Sequence, residues 1–149
     1  MSKTRITAED LYNISMVSDP QFSPDGRRLA YVHTRIDRQS NGYKSAIWLA
    51  SLDGERLRQF TAGDKRDTAP RWSPDGRWLA FVSNRGDDKA GAQIYVMATD
   101  GGEAHRLTEL ENGAGEPRWS PDGSRIAFTS RVDAEEKAGE AENENETPA

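Results

Sequence analysis

The feature that most constrains this chain is a segment that occurs three times. Pro20-Gln-Phe-Ser-Pro-Asp-Gly-Arg-Arg-Leu-Ala-Tyr-Val returns as Pro70-Arg-Trp-Ser-Pro-Asp-Gly-Arg-Trp-Leu-Ala-Phe-Val and again as Pro117-Arg-Trp-Ser-Pro-Asp-Gly-Ser-Arg-Ile-Ala-Phe-Thr. Between residues 70–83 and 117–130, 10 of 14 positions are identical, where unrelated segments would share roughly one. The copies start 50 and 47 residues apart, and the difference sits in one place. Ile47-Trp48-Leu49 begins 27 residues after its proline and Ile94-Tyr95-Val96 begins 24 after its own, whereas Thr61 and Thr108 both precede the next proline by 9. Length variation confined to residues 35–46 against 85–93 is what a modular architecture expects.

Each unit reads as four short strands. The first covers residues 21–23, 71–73 and 118–120. Ser-Pro-Asp-Gly then supplies a tight turn, in which Pro presets φ, Asp bonds to nearby backbone and Gly accepts a left-handed conformation. The second strand, residues 28–34, 78–83 and 125–130, is apolar on both faces, as for a strand covered on both sides. The third, residues 46–51 and 93–98, ends at Asp53-Gly54 and Asp100-Gly101, two hairpin signals. The fourth spans residues 55–61 and 103–108. Four strands at this period predict an all-β fold, a partial β-propeller of four-stranded antiparallel blades. A β-sandwich would not repeat one turn in near-identical modules.

The predicted organisation is a leader with a short helix (residues 1–19), two complete blades (20–69 and 70–116), the first two strands of a third (117–132), and an acidic disordered tail or insertion (133–149). Thr7-Ala-Glu-Asp10 has the form of a helix cap followed by first-turn acids. Leu, Ile, Val and Phe make up only 23 of 149 residues, a fraction low enough to favour disorder if it were spread evenly. It is not: residues 133–149 contain none of the four. The charge divides in the same way. Seven of the 25 acids and one of the 20 bases, Lys137, lie in that tail, so residues 1–132 carry 18 acids and 19 bases and are nearly neutral.

Several function classes are excluded as expectations. A near-neutral body with no basic stripe argues against nucleic acid, and no apolar run approaches the roughly 18–20 residues of a membrane helix. There is no cysteine, hence no thiolate metal site and no cysteine nucleophile. The N-terminus has positive charge but no apolar stretch behind it, so the expectation is a cytoplasmic protein. His33 and His105 fall at unrelated repeat positions without a neighbour at metal-ligand spacing, which predicts packing or surface roles. Asp87, Asp88 and Asp100 lack the spacing of a calcium loop and read as turn residues. Arg35, Arg85 and Arg131 each follow a second strand and predict a repeated structural contact, with turn or loop carboxylates as partners. Trp72 and Trp119 share a repeat position and predict packing between blades. Trp78, where the other copies have Arg28 and Arg125, predicts an exposed ring. No catalytic, cofactor-binding or metal-binding residue is assigned, and no cofactor is implied.

The three Ser-Pro-Asp-Gly modules resemble the WD-like repeats of TolB-type propellers and of the prolyl oligopeptidase family of serine peptidases. The leader Ile6-Thr-Ala-Glu-Asp-Leu11, running into Val17-Ser-Asp-Pro-Gln-Phe-Ser-Pro-Asp-Gly26, resembles the start of the acylaminoacyl-peptidase-like branch. The acidic run after Arg131 is similar to a charged insertion in the third blade of some members. The resemblance implies a propeller that gates and positions short peptide substrates over a C-terminal α/β-hydrolase domain in cis. The Ser, Asp and His of the triad, with a Gly-x-Ser-x-Gly elbow, would lie in that domain. This sequence contains no Gly-x-Ser-x-Gly, so no catalytic residue is carried over, and the chain alone is expected to be inactive. Two other readings remain open: a non-catalytic TolB-like module for protein–protein interaction, and a truncated product without independent function.

Overall fold

The computed structural model describes residues 5–86 and 91–132; the acidic segment 133–149, with the disorder expected of it, lies outside the described residues. Among the described residues, ten strands form three antiparallel sheets in chain order. Blade 1 holds β1 (Ser15–Phe22), β2 (Arg28–Asp37), β3 (Gly42–Ser51) and β4 (Leu57–Gln59). Blade 2 holds β5 (Asp67–Trp72), β6 (Trp78–Ser83), β7 (Gln93–Ala98) and β8 (His105–Arg106). The third sheet pairs β9 (Gly115–Trp119) with β10 (Ile126–Thr129). This is the all-β partial propeller that the repeat predicts, and its first strands β1, β5 and β9 are successive neighbours. No helix among the described residues is long and apolar enough to cross a membrane.

The Ser-Pro-Asp-Gly turn is built identically in each blade. The serine N–H donates across the turn to Arg28, Trp78 and Arg125 carbonyls at 2.8–2.9 Å, and the glycine N–H closes back on the serine carbonyl. The serine hydroxyl donates to the aspartate (Ser23–Asp25 2.5 Å, Ser73–Asp75 2.6 Å, Ser120–Asp122 2.5 Å) and accepts from the N–H five residues on. The same carboxylate accepts the N–H two residues after it. The glycines take φ of 68–72°, the left-handed region that an L side chain avoids. Ser51-Leu-Asp-Gly54 repeats the arrangement between β3 and β4, with Leu52 in the proline position. Asp53-Gly54 is thus part of the expected hairpin turn, at the centre of a five-residue loop between Ser51 and Leu57, and the fourth strand is shorter than the expected residues 55–61, running Leu57–Gln59.

The first strands begin earlier than the expected residues 21, 71 and 118, because each carries a one-residue bulge. Register shifts occur at Ser18/Gln21, Thr68/Arg71 and opposite Ala127/Thr129. The bulged residue stands just before the repeat proline and has positive φ in all three blades: Asp19 at 48°, Ala69 at 52° and Glu116 at 52°. Proline offers no N–H to the ladder, and a bulge is where a strand tolerates that loss.

The three-residue insertion in blade 1 lies in an extended hairpin and not in a free loop. Pairing of β2 with β3 runs out to Asp37↔Gly42, and Asp37 holds the turn by accepting Ser40 N–H (3.1 Å) and hydroxyl (2.7 Å) and pairing with Lys44. The leader docks there. Its six-residue 3-10 helix, Ala8–Asn13, places Tyr12 under the Arg38 guanidinium and within 3.4 Å of Asn41. The helix is 3-10 and not α, and Asp10 accepts the Thr7 N–H at 2.7 Å at its start.

Blades 1 and 2 share one core. Ala30, Ile47, Leu49 and Phe60 from blade 1 meet Leu79, Phe81, Tyr95 and Met97 from blade 2, with Trp72 against them. Burial of such side chains contributes about 1.5–3 kcal/mol each. Direction comes from the tryptophans. Trp72 Nε1 donates to the Gln21 carbonyl and Trp119 Nε1 to the Arg71 carbonyl, both at 3.0 Å. One indole therefore staples each blade to the one before it.

Two measurements check this. Trp72→Phe keeps a ring that Phe22 shows the repeat can carry but removes the indole N–H. It should lower stability by about 1–2 kcal/mol in denaturant unfolding. The turn hydrogen bonds hold Asp25, Asp75 and Asp122 below the usual carboxylate range, Asp122 at about 2, with the serine hydroxyl as the largest cause in each. These groups stabilise the fold above the unfolded carboxylate value of about 4 and lose that contribution as pH falls through the folded values. Thermal melts from pH 5 to pH 2 should show the midpoint dropping below about pH 4, with a shallower drop in Asp122→Asn.

Candidate functional site

The sequence-singled residues separate into structural and surface groups. Arg85 follows β6 and reaches back to β5, where its guanidinium pairs with Asp67 at 2.7 Å and its Nε donates to the Ser83 hydroxyl at 2.9 Å. It lies over the Phe81 and Tyr95 rings at 5.0 and 5.4 Å. Asp67 is fully buried, and its Oδ1 has no hydrogen-bond partner among the described residues. The partner is thus a same-blade carboxylate, though on a strand and not a turn or loop. In blade 1 the Asp67 position is Val17, which offers no carboxylate, and the equivalent Arg35 instead donates to the Gly63 carbonyl at 3.3 Å. Arg131 does not belong to the series: Ser83 aligns with Ser130, so Val132 takes the Arg85 position and Arg131 that of Asn84. No carboxylate pairs with Arg131 among the described residues.

His33 is half-buried with its ring edge-on to Trp48 at 5.9 Å, and His105 is exposed on β8. Asp100 sits in the turn after β7; Asp87 and Asp88 lie outside the described residues. Trp78 is 39% exposed and lines a cavity of about 520 Å³ together with Ile94, Val96, Leu107, Ile126 and Phe128. This space has a structural origin. Ile126 and Phe128 occupy the repeat positions of Leu79 and Phe81, whereas nothing described fills those of Tyr95 and Met97, which complete the same interface between blades 1 and 2. This cavity is an unfilled seam between blades.

A second surface has the composition of a binding wall. Where the first strands run into their turns, Gln21, Arg71 and Arg118 occupy one repeat position and Phe22, Trp72 and Trp119 the next. With Pro24, Pro74 and Pro121 they line a cavity of about 310 Å³. Across it Arg71 Nη1 pairs with Asp19 of the preceding blade at 2.8 Å, and Asp19 also accepts from the Gln21 amide at 2.8 Å. Arg28 extends the aromatic contact, lying 4.7 Å over the Trp72 ring and donating to the Gly76 carbonyl at 3.1 Å. Reading the sequence for catalytic patterns missed Asp19, Arg71 and Arg118. The available signal was the residue before each repeat aromatic and the residue before each repeat proline.

Residues 4–147 match the TolB beta propeller domain. The chain belongs to that family. It is 43% identical over 97 residues to an uncharacterized peptidase, YuxL, of Bacillus subtilis (strain 168), covering 65% of this chain and 14% of that protein. Among solved structures it resembles the acylaminoacyl peptidase of Pyrococcus horikoshii, with TM-score 0.63 and 26% identity over 78% of this chain and 17% of that one. It also resembles the β-propeller domain of the trilobed protease from Pyrococcus furiosus, described as having an open velcro topology. There the TM-score is 0.59 and identity 25%, over 76% of this chain and 34% of that one. These relatives agree with the peptidase resemblance drawn from the leader and blades. The chain spans about a seventh of the B. subtilis relative and about a third or less of the two structures.

Arg85→Ala should be among the most damaging single changes. It strands a carboxylate that is fully buried, a loss of about 3–5 kcal/mol. Chemical denaturation should show it, and Asp67→Ala in the same chain should recover part of the loss.

Proposed function

We propose that this chain is propeller sequence of a serine peptidase of the prolyl oligopeptidase family, most like the acylaminoacyl peptidases. In that reading the blades gate and position short peptides for an α/β-hydrolase domain that performs acyl transfer through Ser-His-Asp chemistry. The observation that carries it is the 43% identity to a peptidase, supported by the likeness to the acylaminoacyl peptidase structure. The wall of Arg71, Trp72, Arg118 and Trp119 suits the role, since aromatic faces and guanidinium groups recognise peptide groups and carboxylates without chemistry of their own. Within this reading the enzyme works in the cytoplasm.

The family match alone favours a second reading, a TolB-like propeller that binds other proteins without catalysis. Extending the coding sequence past Ala149 in all three frames separates the two. Further Ser-Pro-Asp-Gly blades followed by Gly-x-Ser-x-Gly support the peptidase; further blades with no such elbow support the binding module. In the assay, the 149-residue chain should not turn over acyl-aminoacyl or X-Pro chromogenic substrates. The extended gene product should, with activity abolished by a serine-directed inhibitor. Turnover by the short chain would overturn the assignment of catalysis to another domain.

A further inference from the structure

The Asp19–Arg71 pair is a repeat contact that fails at the next step. Its acid comes from the bulge position of one blade and its base from the position before the aromatic in the following blade. Moving one blade along, the base is kept as Arg118 but the acid becomes Ala69. The rest of the step is preserved, because Trp119 donates to the Arg71 carbonyl just as Trp72 donates to that of Gln21. Arg118 is therefore delivered to the equivalent place with no carboxylate at the Asp19 position to meet it. It is exposed, and no described carboxylate pairs with it. In the preceding blade, Arg71 Nε is buried without an acceptor among the described residues. Both arginines line the 310 Å³ cavity, together with Trp72 and Trp119.

We propose that Arg118, with Arg71 behind it, forms a binding site for a peptide carboxylate, which takes the place that the Asp19 carboxylate fills one blade earlier. A guanidinium recognises a carboxylate through paired charge-assisted N–H donors, and the flanking indoles supply an apolar wall for the adjoining side chain. The site occupies the blades alone and needs no hydrolase domain. It rests on the peptide reading above only for the choice of probes.

Ala69 provides the decisive test. Ala69→Asp would restore the missing partner, and an aspartate also tolerates positive φ better than alanine. Ala69→Asn relieves the same backbone strain without a charge. The full chain is titrated calorimetrically with three probes: acetyl-Gly-Phe as the free acid, the same peptide as its amide, and acetyl-Glu-Phe amide. The free acid should bind at least about tenfold more tightly than its amide, the margin expected of one charge-assisted pair. Binding of the glutamyl amide as well would mean that any peptide carboxylate serves; its failure to bind would restrict the site to a chain terminus. Arg118→Gln and Ala69→Asp should each abolish the preference for acid over amide, while Ala69→Asn keeps it. Ala69→Asp should also melt higher than Ala69→Asn, with a gap that shrinks in high salt as a restored ion pair requires. Equal binding of acid and amide, binding of neither, or an undiminished preference in Arg118→Gln would overturn the proposal. A chain that binds the acid while the extended gene product hydrolyses nothing would leave this site standing and remove the peptidase reading.

Discussion

Everything above a single blade depends on the indole hydrogen bond between neighbouring first strands. Apolar packing among Ile47, Phe60, Phe81 and Tyr95 draws two blades together but has little directional preference. The Trp72 N–H does, since it meets one carbonyl of the previous blade, that of Gln21. That carbonyl follows the bulge at Asp19, and its partner strand carries the equivalent bulge at Ala69, so the bulge sets where the staple lands. Fixing the first strands in turn brings Arg28 to Gly76 and Asp19 to Arg71. The binding wall is thus a consequence of inter-blade register, assembled from strand ends that no single blade holds together.

Much of this was legible in the sequence because a blade is a local object. The Ser-Pro-Asp-Gly turn and the double-sided apolar second strand follow from residues within one module, and the shared role of Trp72 and Trp119 from their common place in two of them. Reading failed where a contact joins segments far apart or where backbone replaces side chain. The bulge before Pro20 leaves no composition signal, since Asp19, Ala69 and Glu116 have nothing in common but their position. The insertion at residues 35–46 looked like a loop because its polar residues hide a hairpin held by Asp37 and used by the leader. Arg131 stands one residue out of register with Arg35 and Arg85, because Ser83 aligns with Ser130. Arg71 and Arg118 escaped notice because they belong to a repeated motif, and repetition suggests structure. Their divergence lies in the partner and not in the arginine.

The repeat also explains why two cavities of similar appearance mean different things. The space bordered by Ile126 and Phe128 is apolar because it is half of an interface whose other half is present between blades 1 and 2. The space bordered by Arg71 and Arg118 is lined by the turn prolines Pro24, Pro74 and Pro121 of three successive repeats, with no repeat position left vacant. Comparison of equivalent positions within the chain distinguishes an unfilled joint from a receptive surface, which cavity size alone does not.

Phe22 occupies the repeat position that Trp72 and Trp119 hold in the later blades, and it is 66% exposed. Beside it, Leu29, Tyr31, Trp48 and Ala50 stand where Leu79, Phe81, Tyr95 and Met97 receive a neighbour in blade 2. Lacking an indole N–H, Phe22 can offer any blade seated on that face only a ring edge, with no donor to fix its height along the strand. Such a contact permits sliding and parting at a lower cost than the stapled joints. Under mechanical or thermal load, a ring of blades closed against Phe22 would therefore part at this junction first, and blades 1, 2 and 3 would move as one rigid arm.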